Sequence, residues 1–356
     1  MPKELFPAMP SRASPSRPPK VVAPPAPPER APDGPAPEEL GIPGRSALFL
    51  GPASDEPWRL FRMLSGGRPA LVLSGAHPAR LRLRFGLDEA ALVWLSAYAG
   101  SKEETLAPQT LEYEMLGRVN RHLRVQKGAI LLLDDLDYLS SQCGFGTVLR
   151  FVKRVADSAA ELRGTFLASA EPGALSDRER AALMSVFDTV RPVEGPRAPE
   201  RLPGVIPGGR PSVLIRGAGD AAYRLMEAGA RGRRTLFLTP HPPRRIKEAF
   251  DFSNSEILWL SESSGGAGVL RPQGYAVEGL RAVLRHLRAG PGALVLLDGL
   301  DGLRPYGDAA RLVRFAKGAV DAAAECGGVV IASAAPGALE PATEASLRRR
   351  FEAVLG

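Results

Sequence analysis

The sequence has only two cysteines, and the position matching Cys143 in the repeat described below is Gly307, so neither a shared disulfide nor a repeated metal knuckle can be built. Its longest uninterrupted apolar run, Ala129 to Leu133, is far below the roughly 18 residues a bilayer crossing needs. The N-terminus mixes Lys3, Glu4 and prolines where a signal peptide would be apolar. A cytoplasmic protein without membrane insertion is the expectation. No Gly-Lys-Ser or Gly-Lys-Thr triplet occurs, which removes the usual phosphate-cradling loop. No Gly-x-Ser-x-Gly elbow occurs either, so nucleophilic serine chemistry has no support. Excess charge is also scarce. The net +7 is spread thinly, and only residues 212–356 lean basic, with 19 Lys and Arg against 15 Asp and Glu.

What is present is a duplication. Sliding the chain by 164 residues superposes Ala129–Val190 on Ala293–Val354 with 26 identities in 62 ungapped positions. At 356 residues and 44% apolar content the chain is long enough for two cores, one per copy. Residues 1–45 hold 14 prolines and no apolar periodicity, which predicts a disordered tail. Pro24, Pro25, Pro27 and Pro28 offer a polyproline-type recognition site within it, against the plainer reading of a solvated extension. The boundaries expected are a tail over 1–45, a first α/β repeat over 46–192, a Pro-rich linker over 193–211 and a second repeat over 212–356.

Short apolar runs alternate with amphipathic stretches in each copy, the pattern of βαβ units around a parallel sheet. Strands are predicted at Ala47–Leu50, Ala70–Leu73, Ala91–Leu95, Ala129–Leu133 and Thr165–Ala168. In the second copy they are predicted at Ser212–Ile215, Thr235–Leu238, Glu256–Leu260, Ala293–Leu297 and Val329–Ala332. Leu111, Met115, Val119 and Leu123, matched by Tyr275, Gly279, Val283 and Leu287, mark a helix packed on the sheet before the central strand. The fold class expected is therefore two tandem three-layer αβα domains with mainly parallel sheets.

The sharpest motif is an apolar strand ending in acids. Leu131 to Leu133 lead into Asp134, Asp135, Leu136 and Asp137, and Val295 to Leu297 lead into Asp298, Gly299, Leu300 and Asp301. Such a strand looks like a Walker B strand, which presents a carboxylate to Mg²⁺ beside nucleotide phosphates. Asp134, Asp137, Asp298 and Asp301 are all ligand candidates, and for Asp137 and Asp301 a cap of the next helix or its preceding turn is the favoured competing reading. The loops after the first strand, Gly51 to Trp58 and Gly217 to Tyr223, stand where a phosphate loop belongs but carry Asp55, Glu56 and Asp220 in place of a lysine. Those acids favour a helix N-terminus on their own account and repel a triphosphate.

Four histidines fall in two matched pairs under the same shift, His77 with His241 and His122 with His286. His77 and His241 open a strand-to-helix turn and read as turn or capping residues, with a ligand role as the alternative; the spacing is poor for a metal, which stays unknown. His122 and His286, each within Arg-His-Leu-Arg, read as a solvated or partner-facing edge. Ser169 and Ser333, in the repeated Ala-Ser-Ala-x-Pro-Gly-Ala-Leu, are ligand candidates weighed against hydroxyls that tie down the adjacent loop. Arg150, Phe151, Lys153 and Asp157, repeated as Arg314, Phe315, Lys317 and Asp321, combine a core aromatic with a charged stripe on which another surface can dock.

These segments together resemble the archaeal domain-of-unknown-function family numbered 835, whose Leu-Asp-Gly-x-x-Tyr-Leu segment is approached by Leu133 to Leu139, and by Leu297 to Leu303 without the Tyr. The layout is more distantly similar to a RecA or KaiC ATPase core without its phosphate loop. The resemblance implies archaeal signalling proteins and assigns no reaction or cofactor. Three functions stay open: a non-catalytic interaction or signal-relay module with a protein partner, a Mg-nucleotide binder or NTPase using the strand-end acids, and a nucleic-acid binder through Arg231, Arg233, Arg234, Arg244 and Arg245. Pseudo-dimeric packing of the two repeats is a further expectation.

Overall fold

The computed structural model describes residues 43–52, 54–96, 102–125, 127–194, 212–217, 220–250, 252, 255–262 and 266–356. The expected tail, apart from its last three residues, and most of the expected linker lie outside the described residues.

Each copy folds into a lobe around a parallel sheet. In the first lobe the strands are β1 (Ser46–Leu50), β2 (Ala70–Ser74), β3 (Ala91–Leu95), β4 (Thr105–Leu106), β5 (Ile130–Leu133), β6 (Thr165–Ala170) and β7 (Thr189–Pro192), in the order β4-β3-β2-β5-β6-β1-β7. The second lobe has β8 (Ser212–Arg216), β9 (Thr235–Thr239), β10 (Glu256–Leu260), β11 (Val269–Leu270), β12 (Leu294–Leu297), β13 (Val329–Ala334) and β14 (Ala353–Leu355), in the equivalent order β11-β10-β9-β12-β13-β8-β14. All pairings are parallel. The five strands expected per copy are present, and each lobe adds a two-residue edge strand, β4 or β11, and a closing strand, β7 or β14.

Helices cover both faces, which is why the central strands read as unbroken apolar runs. In the first lobe α1 (Glu56–Ser65) and α2 (Pro78–Phe85) pack Trp58, Phe61 and Leu81 against Phe49, Val72 and Leu132 on one face. Helix α3 (Leu116–Val125), α5 (Phe145–Glu161) and α6 (Asp177–Met184) cover the other, where Leu71, Leu131 and Leu133 meet Met115, Phe151 and Val155. The short α4 (Leu136–Cys143) joins β5 to α5. The second lobe repeats the arrangement with α7 (Ala221–Ala230), α8 (Pro243–Ala249), α9 (Leu280–Arg288), α10 (Ala309–Cys326) and α11 (Pro341–Arg350). In place of α4 it has a 3₁₀ segment over Leu300–Tyr306.

The helix expected before the central strand begins in both lobes with a π-helical turn, Leu111–Met115 and Tyr275–Gly279, and its four apolar positions are buried in each. Gly164 and its repeat Gly328 have a packing reason. A Cβ on Gly164 would stand 2.7 Å from Leu123 and 3.2 Å from the Ala129 carbonyl, and one on Gly328 would stand 2.6 Å from Leu287 and 3.0 Å from the Ala293 carbonyl.

The lobes do not meet through matching faces. The C-terminal strand ends of the first lobe, with α2 and α4, receive α10 and α11 of the second, and Tyr138 on α4 belongs to the second lobe's apolar cluster.

Candidate functional site

In the first lobe the chain leaves β2 toward β3 and leaves β5 in the opposite direction toward β6, so the crevice between β2 and β5 is the topological switch point where open α/β sheets place ligands. Asp134 follows β5 directly, and its N–H still bonds the Leu73 carbonyl at 2.9 Å, which fixes its side chain at that crevice. The hydroxyl of Ser74 donates to it at 3.2 Å, and Ser169, at the end of β6, donates to its other oxygen. Asp135 turns the chain into α4 with φ of 74°, a left-handed conformation that Asp tolerates better than most side chains. The matching residue is Gly299 at 67°, which explains why the second copy drops this acid without changing its backbone.

The three acids are covered by two arginines from α11. Arg349 lies 3.0 Å from Asp134, 3.3 Å from Asp135 and 3.3 Å from Asp137. Arg350 donates twice to Asp135, at 2.8 and 3.0 Å, reaches Asp137 at 3.4 Å, and lays its guanidinium over the Tyr138 ring. All five side chains are nearly sealed from solvent. Burial, with the neighbouring charge of Asp135, pushes Asp134 up to about 6 against the pull of Arg349 and the Ser169 hydrogen bond. Burial also acts on Asp135, but Arg350 and Arg349 outweigh it and hold this carboxyl below its ordinary range. Burial opposes the charge on Arg349, yet Asp137, Asp134 and Asp135 together raise it, so the guanidinium stays protonated.

A second buried network flanks the first. Lys317 on α10 pairs with Asp321 at 2.5 Å, and its ammonium sits 5.5 Å from the Trp94 ring centre and 5.3 Å from that of Tyr138. Ser96 donates to Asp321 at 3.0 Å. Burial lowers the Lys317 ammonium and raises the Asp321 carboxyl, each against the attraction of the other. Further out, His77 bonds Glu325 at 2.5 Å, Arg80 pairs with Glu352, and Arg314 donates to Gln142 at 2.8 Å. The charged stripe expected on this helix is thus docked in the second lobe.

At the phosphate-loop position, Gly51 is accounted for by packing, because a Cβ there would collide with the backbone of Val193. Asp55 is paired with Arg84 at 2.6 Å and Glu56 with Arg191 at 3.1 Å. Between this loop and the second lobe lies a cleft of about 1100 Å³ whose lining includes Ser54, Arg80, Asp134, Lys317 and Arg349.

The second lobe handles its own acid differently. Asp298 accepts from Tyr223 at 2.6 Å, from Thr239 at 2.8 Å and from Ser333 at 2.8 Å, and among the described residues no arginine or lysine pairs with it; the imidazole of His241 is 3.9 Å away. Ser333 also accepts the Gly299 N–H at 2.8 Å. Ser169 and Ser333 therefore tie the strand-end acids to the neighbouring strand. Asp137 and Asp301 cap no helix. They accept backbone N–H groups beyond β6 and β13, from Glu171 at 3.2 Å and Ala335 at 2.9 Å.

Two readings of the histidines need correction. The Ser74 hydroxyl accepts the Ala76 N–H, whereas the equivalent Thr239 hydroxyl accepts that of His241. The cap of α2 is His77, its Nδ1 accepting from Ala79, but the cap position of α8 is Pro242. The first lobe therefore has one extra residue between this turn and β4, which undoes the pairing of His77 with His241. His122 and His286 do not lie on a solvated edge: His122 is half-buried and His286 is buried with Nδ1 3.7 Å from Glu256, because this face of the helix turns toward the start of the sheet. Burial lowers both imidazoles.

The five arginines weighed for nucleic acid divide into two groups at opposite ends of β9: Arg231, Arg233 and Arg234 precede it, and Arg244 and Arg245 follow it. A five-residue strand sets these groups roughly 16 Å apart. Among the described residues, no cluster of three or more His, Cys, Asp or Glu side chains is arranged to hold a metal, and no helix is long and apolar enough to cross a membrane.

Arg349 and Arg350 escaped the sequence reading because the repeat places Ser185 and Val186 opposite them and the acids they cover are 215 residues away. A faint signal existed, since Arg348, Arg349 and Arg350 contribute much of the second copy's basic excess.

Residues 53–187, most of the first lobe, match the model of a family described as protein of unknown function (DUF835). No curated protein matches the chain.

Proposed function

We propose that the chain is a non-catalytic, degenerate RecA-like tandem that serves as an interaction or signal-relay module, its second lobe acting as a stopper in the strand-end site of the first. The observation that carries this reading is Arg349, which touches Asp134, Asp135 and Asp137 at once and, with Arg350, occupies the charge a Mg²⁺ ion would otherwise neutralise. The RecA-like reading is supported by the parallel order that places β6 between β1 and the acid-ended β5, with the loop after β1 lining the same cleft as Asp134. That loop has no lysine, and its acids are already paired with arginines. Two free cysteines suit the cytoplasmic, archaeal signalling setting that the family resemblance suggests. The test is ATP turnover by the full chain with Mg²⁺. No turnover above buffer is expected, and turnover abolished by Asp134→Ala or Asp298→Ala would overturn the reading.

A second reading is favoured by the cleft of about 1100 Å³ beside Ser54, Lys317 and Arg349, which has the size of a small-molecule site. It makes the cleft a nucleotide site in which Arg349 exchanges its carboxylates for phosphate. Calorimetric titration with ATP, GTP and cyclic dinucleotides separates the two: binding weakened by Arg349→Ala favours the second reading, and flat titrations end it.

A further inference from the structure

Helix α10 reaches the first lobe through four side chains one helical face apart, Arg314, Lys317, Asp321 and Glu325. Their partners there are Gln142 for Arg314, the Trp94 and Tyr138 rings for Lys317, Ser96 for Asp321 and His77 for Glu325. The repeat helix α5 carries the same four residues at the same spacing, as Arg150, Lys153, Asp157 and Glu161. All four are exposed, and among the described residues Arg150 bonds its neighbours Glu112 and Thr147. Exposed positions carry the least packing constraint. Yet this stripe is kept in full between copies that agree at 26 of 62 positions.

We propose that the stripe on α5 docks on the strand-end edge of the second lobe of another copy of this chain, so that molecules add head to tail. This inference rests on the interaction-module reading and names its partner.

The receiving edge retains two of these five groups, while Tyr306, Gly302 and Pro242 stand where Gln142, Tyr138 and His77 do. Trp259 takes the place of Trp94, its indole N–H donating to the Pro240 carbonyl at 3.1 Å as that of Trp94 donates to Gly75 at 3.3 Å, and Ser261 takes the place of Ser96. Lys153 would sit over Trp259 and Asp157 would accept from Ser261, repeating the internal contacts. Where α11 covers the first lobe's acids, one pair changes on both sides together. Within the chain Arg350 meets Asp135 and Tyr138, whereas between chains the equivalents are Val186 against Gly299 and Gly302, with charge removed from both partners. Arg349 meets Asp134, whereas Ser185 would face Asp298, whose charge is already satisfied by Tyr223, Thr239 and Ser333. The first lobe's own edge is filled by α10 and α11 of the same chain, which leaves the second lobe's edge as the complementary surface. Because the two faces differ, the contact is heterologous and open-ended.

Sedimentation equilibrium of the full chain over a wide concentration series tests this with two variants. One carries Lys153→Glu with Asp157→Lys and the other Trp259→Ala, each checked for an unchanged melting temperature. Wild type is expected to grow with concentration beyond a dimer, and each variant to associate about tenfold more weakly or worse. Mixing the variants restores a single good contact, the intact stripe of the Trp259→Ala chain on the intact edge of the other, so a dimer that grows no further is expected. A monomeric wild type, variants that associate as wild type does, or a mixture that stays monomeric would each overturn the proposal. None of these outcomes bears on ATP turnover, so this proposal can fail while the interaction-module reading stands.

Discussion

Replacing Arg350 by Val isolates what the stopper contributes. The guanidinium makes two bonds to Asp135 and one contact to Asp137, all buried, and its removal leaves Asp135 without its closest cation in a site nearly sealed from solvent. Breaking one side of a buried ion pair costs about 3–5 kcal/mol, mostly through the charge left behind. With a urea dependence on the order of 3 kcal/mol/M, this moves the first unfolding transition by roughly 1–1.7 M. Adding Asp135→Gly should then return more than half of that loss. It deletes the orphaned carboxylate and places glycine where φ is 74°, as its repeat Gly299 stands at 67°. Urea unfolding followed by tryptophan fluorescence reads the change directly, since Trp94 lies at the lobe boundary. A shift below about 0.3 M for Arg350→Val, or a double variant no more stable than the single one, would refute the argument.

Asp134 has its carboxyl raised from 3.8 to about 6, so its protonated form is favoured in the fold. The stabilisation is fully present below pH 3.8 and is lost as pH rises through 6, about 3 kcal/mol in all. Urea midpoints of wild type should therefore fall relative to those of Asp134→Asn across that window, and parallel profiles would contradict it. Gly75→Ala places a Cβ against the Asp135 carboxylate and 3.0 Å from Arg350, so it should loosen the lobe contact, read as faster proteolysis between the lobes; an unchanged digestion rate would count against the geometry. Gly164→Ala and Gly328→Ala should each lower stability by about 1–3 kcal/mol through overpacking against Leu123 and Leu287, and calorimetric melting that matches wild type would show the sites can relax.

The buried strands were legible because a strand covered on both faces must be apolar throughout, as Leu131–Leu133 and Val295–Leu297 are. The closing strand Thr189–Pro192 is half-exposed, pairs along one side and ends in proline, so it carries no such run. The roles of Ser169 and Ser333 were legible in outline, as hydroxyls that fix local geometry, though their partners proved to be Asp134 and Asp298. Asp137 and Asp301 look like caps in the sequence because the cue there is local, whereas the N–H groups they accept lie 34 residues on. The histidine pairing failed on one inserted residue that an ungapped shift cannot register. Above all, the closure of the acid site depends on a surface of one repeat meeting the edge of the other, and repeat symmetry hides it, because Ser185 and Val186 stand where Arg349 and Arg350 do.

The most direct test of the closed site is Mn²⁺ titration of the full chain read by electron paramagnetic resonance, since Mn²⁺ takes the same carboxylate ligands as Mg²⁺. The account predicts that wild type leaves the free-ion signal undiminished, while Arg349→Ala with Arg350→Ala uncovers Asp134, Asp135 and Asp137 and depletes it. Depletion by wild type that Asp134→Asn abolishes would show the acids open to metal and would contradict the account.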